Sequence, residues 1–224
     1  PKCGAGGGCD NGILCPGEQR VFLPKENFAG AMKLLGANKA YVVPNGKRDA
    51  LRDVIFPGGH MSRDLVGKDA AIVAKAAGFD VPADTRILVV EAVDIKDVLG
   101  WEKMFPVLTA YRYDKWEEAV EMARDNLRKI GQGHSIAVHS NDDKNIEYAG
   151  THVEVSRIVV NQPCASTAGG SFQNGLNPTN TLGCGSWGNN SISENLTYYH
   201  LINISRIAYW KKDRPIPSDD EIWS

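Results

Sequence analysis

The run TRILVVEAV, residues 85–93, is unbroken by turn residues and dominated by apolar and β-branched side chains. A run with no polar face predicts a strand buried on both sides, and such a strand needs helices above and below it. The flanking sequence supplies them. RVFLP at 20–24 and AYVVP at 40–44 read as short strands, and KENFAGAMKLLGA between them carries Phe28, Met32, Leu34 and Leu35 on a helical stripe. KRDALRDVIF and SRDLVGKDAAIVAKAAG read as helices, the second closed by Gly78 as a C-cap. FPVLTAYRY at 105–113 is another strand, with its proline at the start where a missing N–H is tolerated.

DKWEEAVEMARDNLRKIG is the clearest helix. Asp114 is placed to cap it, Trp116, Ala119, Val120, Ala123 and Leu127 share a face, and Lys129 and Gly131 mark its end. SIAVHS, DDKNIEYAGTH and VSRIVVN continue as strand, helix and strand. This alternation predicts an α/β fold whose mostly parallel sheet is covered on both faces. From Gln162 the texture changes to QPCASTAGGSFQNGLNPTNTLGCGSWGNNSISEN, rich in Gly, Ser, Asn and Thr. A stretch of that length without periodicity is functional or disordered. Phe172, Leu176, Leu182, Trp187 and Ile192 favour ordered loops around a site. DRPIPSDDEIWS reads as a polar tail.

The formal net charge of -2 offers no electrostatic case for nucleic acid or an anionic membrane as partner, and no apolar run is long enough to span a bilayer. Five cysteines, at 3, 9, 15, 164 and 184, are an odd number. That argues against a closed disulfide framework and for a reducing, cytoplasmic setting. Residues 1–9, with the glycine run GAGGG, are expected to be a flexible start.

CDNGILCPGEQ, residues 9–19, sets Cys15 after a tight Asp-Asn-Gly turn and before a proline. That puts it on a loop or helix start, where main-chain N–H groups could lower the thiol pKa and bind an oxyanion. On residue chemistry alone, a nucleophile and a small packed hydrophobe are equally open. Zinc fits poorly, because Cys3, Cys9 and Cys15 are six apart with no nearby histidine, and no metal site is expected.

DNGILCPGEQ, EKMFP at 102–106, GHSIAVHS at 133–140 and TLGCGSWGNNSISEN followed by HLIN occur in this order. Together they resemble the catalytic region of CoA-acylating aldehyde dehydrogenases. Among these are the aldehyde dehydrogenase half of bifunctional aldehyde-alcohol dehydrogenases and the CoA-dependent succinate-semialdehyde dehydrogenases. The resemblance implies a three-layer, open, mostly parallel sheet of the aldehyde dehydrogenase catalytic type with a loop-rich C-terminal region. It implies a catalytic domain over 10–205, a tail over 206–224, and a nucleotide domain lying outside this sequence. The implied activity joins an aldehyde and CoA, with NAD(P)+ as oxidant, through a thiohemiacetal and a thioester on Cys15. His134 is implied as the proton-handling residue, and Glu102 and Phe105 as cofactor-binding. Asn11, Gly183, Gly185, Ser186 and Trp187 are implied in the substrate and CoA pocket. A homo-oligomer is expected. The rival readings are a non-acylating, hydrolytic aldehyde dehydrogenase and a module that mainly builds oligomers.

Overall fold

The computed structural model describes residues 7–92 and 94–224; the expected start at 1–9 falls mostly outside these, as do Cys3 and Val93. A four-stranded parallel sheet forms the centre, built from β1 (Arg20–Pro24), β2 (Ala40–Val42), β3 (Ile87–Glu91) and β4 (Val107–Tyr113) in the order β1-β4-β3-β2. β3 is flanked by β2 and β4, and its Ile87 to Val90 are each at most 1% exposed.

Alternation along β3 sends its side chains to opposite faces. Ile87 and Val89 join Leu108 and Ala110 against helix α1 (Phe28–Gly36), through Phe28, Met32 and Leu35. Leu88 and Val90 join Leu51, Ile55 and Val73, from helices α2 (Asn45–Ile55) and α3 (Ala70–Ala76), on the other face. This is a three-layer sandwich. Each fully buried Leu, Ile or Val in it contributes on the order of 2 kcal/mol.

Three local expectations are corrected. Leu34 is 58% exposed and does not join the α1 stripe. The helix expected over 62–78 is interrupted: a 3-10 turn spans Arg63–Leu65, Gly67 reverses the chain at φ +70, and helix resumes at Ala70. Asp114 does not cap α4 (Trp116–Lys129), whose N-cap is Lys115; Asp114 pairs with Lys25, and its main-chain N–H donates to Glu118 at 2.9 Å.

β5 (Gly133–Val138) and β6 (Val155–Val160) form a separate parallel pair. α4 and α5 (Asp143–His152) pack on it through Val120, Leu127 and Ala149, joined by Val153 just after α5. β1 and β5 face each other across a cleft. After β6 comes a short helix, α6 (Cys164–Thr167), and then ordered loops to about Asn195, pinned by a bridge between Leu182 and Asn195. No described helix is long and apolar enough to cross a membrane.

Leu88→Ala, at the sheet centre, is expected to lower stability by about 3 kcal/mol. Urea unfolding should show a lower midpoint at unchanged slope; a loss under about 1 kcal/mol would mean this strand is not the packed centre.

Candidate active site

The cysteine loop opens on three successive left-handed residues, Asp10 (φ 48), Asn11 (φ 51) and Gly12 (φ 82). Asp, Asn and Gly are the residues that tolerate this region, which explains the tight turn. Gly12 has a second reason to be glycine: a Cβ there would come within 2.2 Å of the Phe105 carbonyl oxygen. Asn11 Nδ2 donates to the Gly67 carbonyl (3.1 Å) and to Asp69 Oδ1 (2.9 Å), tying the turn to the segment before α3. Cys15 follows on an exposed turn closed by Gly17 N–H to Leu14 O at 2.8 Å.

A second loop, 97–106, meets the first. Arg52 of α2 holds Asp97 in a two-pronged pair (3.0 and 2.8 Å), and Asp97 in turn accepts from the Leu99 N–H. Lys103 is fully buried, and its ammonium donates to three main-chain carbonyls: Gln19 (3.1 Å), Leu99 (2.8 Å) and Trp101 (3.0 Å). Its own N–H donates to Gln19 Oε1 at 2.9 Å. Burial pushes Lys103 well below the ordinary lysine range, and Arg20 adds to this. Held this way, the loop presents Glu102 exposed beside the cysteine turn.

Between β1 and β5 lies a cleft of about 730 Å3. Its walls are mostly apolar, from Val21, Leu23, Leu35, Val120, Leu127 and Ile136. Cys15, Glu18, Glu102, His134 and Cys164 bring the chemistry. Glu18 accepts from the Cys164 N–H at 2.7 Å, capping α6, while burial raises its carboxyl. Burial pushes the Cys164 thiol up to about 12, with the Glu18 charge adding to it. His134 is lowered, chiefly by burial and then by the Arg157 charge, so it is neutral at pH 7. Cys15 is raised: burial outweighs its own main-chain N–H, and Glu102 and Cys184 add to the rise while Arg157 opposes it. The expected lowering of this thiol is therefore not found; one N–H group cannot offset partial burial beside a carboxylate.

The 183–195 loop lies against the start of β5. Gly133 (φ 83) allows this approach, since a Cβ would come within 2.3 Å of the Cys184 carbonyl oxygen. Asn190 Oδ1 accepts from the N–H groups of Cys184 (3.1 Å) and Gly185 (2.9 Å). Arg157 of β6, 3% exposed, reaches from this loop to His134.

Cys15, His134 and Glu102 thus line one cleft. The others sit elsewhere. Phe105 is 1% exposed in the core, and only its main chain reaches the cysteine turn. Asn11 is committed to Gly67 and Asp69. Gly183, Gly185, Ser186 and Trp187 flank the site without lining the cleft; Gly185 is buried, Ser186 and Trp187 exposed. Glu18, Cys164 and Arg157 were not anticipated. Arg157 could have been, because it breaks the buried phase Val155, Arg157, Val159 of an alternating strand. Among the described residues no cluster of three or more His, Cys, Asp or Glu could hold a metal ion, and the four described cysteines are free thiols.

No protein-family model matches the chain. Individual relatives do. Over 217 residues it is 50% identical to the acetylating succinate-semialdehyde dehydrogenase of Clostridium kluyveri, covering 96% of this chain and 48% of that protein. Over 205 residues it is 35% identical to the bifunctional aldehyde-alcohol dehydrogenase AdhE of Escherichia coli, covering 89% of this chain and 23% of that protein. An acetylating aldehyde dehydrogenase from Geobacillus thermoglucosidasius superposes with a TM-score of 0.87 at 30% identity, over 96% of this chain and 48% of that one. At most, then, the chain spans about half the length of these relatives.

The thiol environments predict an order of reactivity. Because the Cys15 pKa lies above 9.0, thiolate accumulates only as pH rises, and its alkylation by iodoacetamide should keep accelerating from pH 7 through pH 9. Cys164, buried and pushed up to about 12, should stay unlabelled over the same range in the native chain. Peptide mass spectrometry reads both; a Cys15 rate that levels off below pH 8 would contradict this environment.

Proposed function

We propose that this homologue of the acylating aldehyde dehydrogenases is the cysteine-bearing part of an enzyme that converts an aldehyde, CoA and NAD(P)+ to an acyl-CoA and NAD(P)H. The observation that carries the reading is an exposed Cys15 at an apolar cleft also lined by a neutral His134 and by Glu102. The names of its relatives support acylation over hydrolysis.

In this reading the Cys15 Sγ, as thiolate, adds to the aldehyde carbonyl carbon and a thiohemiacetal forms. NAD(P)+, when bound, supplies the hydride acceptor that turns this adduct into a thioester. The CoA thiolate then attacks the thioester carbonyl, and Cys15 leaves as thiolate and recovers a proton. The apolar walls suit an acyl chain. His134, lining the same cleft, is the group assigned to exchange a hydrogen bond or proton with the reacting atoms. Glu102, an exposed carboxylate at the rim, fits a nicotinamide ribose, whose two hydroxyls can donate to it. Phe105, buried in the core, does not fit such a role.

Assembly with like chains belongs to the same proposal. Leu201, Ile207, Tyr209 and Trp210 support it: they are 77 to 84% exposed and carry apolar area that a partner would cover.

The acyl-transfer half can be tested on this chain, since it needs no dinucleotide. Incubation with acetyl-CoA or succinyl-CoA should move the acyl group to Cys15 and release an equal amount of CoA thiol. Intact-mass and peptide analysis should place the acyl group on Cys15, and Cys15→Ser should abolish it. Equal acylation of Cys9, Cys15 and Cys184 would overturn the reading.

A further inference from the structure

Arg157 is the feature of this site that the proposed chemistry does not use. It is 3% exposed on β6, and no carboxylate pairs with it among the described residues. A buried unpaired guanidinium is costly unless its nitrogens find acceptors. Here all three do, through four hydrogen bonds. Nε donates to Ser135 Oγ (3.0 Å) and Nη2 to the His134 carbonyl (3.0 Å). Nη1 donates to the Gly183 carbonyl (2.7 Å) and to Asn195 Oδ1 (3.4 Å). One side chain therefore fastens β5, β6 and the 183–195 loop where they meet His134.

The contact with Ser135 has a chemical direction. Ser135 Oγ also lies 3.2 Å from His134 Nδ1. The guanidinium is always a donor, so Ser135 Oγ accepts from it, and the serine O–H is left to find an acceptor. Among the described residues, His134 Nδ1 is the acceptor its hydrogen bonds include. A neutral imidazole that accepts at Nδ1 carries its proton at Nε2.

We propose that Arg157 is a positioning residue which, acting through Ser135 and the His134 carbonyl, holds His134 as the Nε2–H imidazole, so that it donates a hydrogen bond at the Cys15 cleft instead of accepting one. In that form it steadies negative charge, whether on the Cys15 sulfur or on the carbonyl oxygen of an adduct, and it is not the resting-state base. The fixed guanidinium charge disfavours the imidazolium, in keeping with the lowered His134 pKa. The other titratable groups on the cleft are Cys15, Glu18, Arg20, Glu102, Tyr113, His139 and Cys164, with Cys184 close by across Gly133. The catalytic meaning of this tautomer rests on the function proposed above; the tautomer itself does not.

The test is long-range 1H–15N spectroscopy of the whole chain labelled at histidine, with His134 assigned by its loss in His134→Gln. At pH 8 the expected His134 spectrum has a protonated-type Nε2 and an unprotonated-type Nδ1; the reverse pattern overturns the proposal. Ser135→Ala, with Arg157 intact, should move both nitrogens toward averaged shifts, and an unchanged spectrum overturns it. Arg157→Gln should raise the His134 titration midpoint toward the ordinary 6.5, while Arg157→Lys keeps it low. A midpoint unchanged in folded Arg157→Gln overturns the electrostatic half. If Arg157→Gln does not fold, Ser135→Ala decides. None of these readings involves acyl transfer, so their failure leaves the Cys15 acylation result standing, and the converse holds.

Discussion

The position of Cys15 depends on one constraint: two loops without regular structure must lie against each other at the amino ends of β1 and β4. Gly12 accepts the main chain of Phe105 at a distance no other residue allows, and Lys103 spends every donor on carbonyls around Gln19. These contacts are short, directional and buried, so they fix both loops more firmly than apolar packing would. The sheet then propagates the arrangement, since the Gln19 carbonyl also accepts from Thr109 at the start of the β4 ladder. Loss of the Gly12 contact would free Cys15 and Glu102 from one another even with the core intact.

Placement at the amino ends departs from the usual habit of open parallel sheets, whose ligands gather at the carboxyl ends of the strands. Helix N-termini, which would supply positive potential at the carboxyl ends, are mostly lacking here. Buried basic side chains stand near the site instead. Arg20, Lys103 and Arg157 are all largely buried, all bonded to main-chain carbonyls, and none is ion-paired among the described residues. Each cost desolvation, which the carbonyl contacts offset. At the Cys15 sulfur the Arg157 charge favours the thiolate, and Glu102, at the rim, acts against it.

Much of this was legible in the sequence because it depends on periodicity and turn chemistry. The β3 run, the α4 stripe, the Asp-Asn-Gly turn and the break at Gln162 all behave as their residue types require. The misreadings share one cause: tertiary partners. Leu34 has helical spacing, yet nothing packs over its side of α1, and it stays exposed. Asp114 has the right chemistry for a cap but finds Lys25 instead. Asn11 looks like a pocket residue until Gly67 and Asp69 take both its donors. Phe105 sits in a motif that suggests ligand contact, but its side chain points into the apolar layer beneath. Arg157 was visible as a charge in the buried phase of a strand, though its partners, 22 to 38 residues away, were not.

The raised thiol pKa at Cys15 looks unfavourable for a nucleophile, but an exchange between two thiols asks for something different. In the proposed acyl transfer Cys15 must attack an aldehyde and later depart as a leaving group toward CoA. A strongly acidified thiolate leaves well but attacks poorly, and nucleophilicity falls with pKa along a shallow Brønsted slope. An alkyl thiol such as that of CoA trades like for like with a cysteine thiol, so one thiolate replaces another in the thioester. Such balance suits an enzyme that must release its acyl group as readily as it takes one. A hydrolytic enzyme gains nothing from it, because water is a far poorer match. Because burial raises Cys15 instead of acidifying it, the thiol keeps its nucleophilicity for the attack with which the proposed reaction begins.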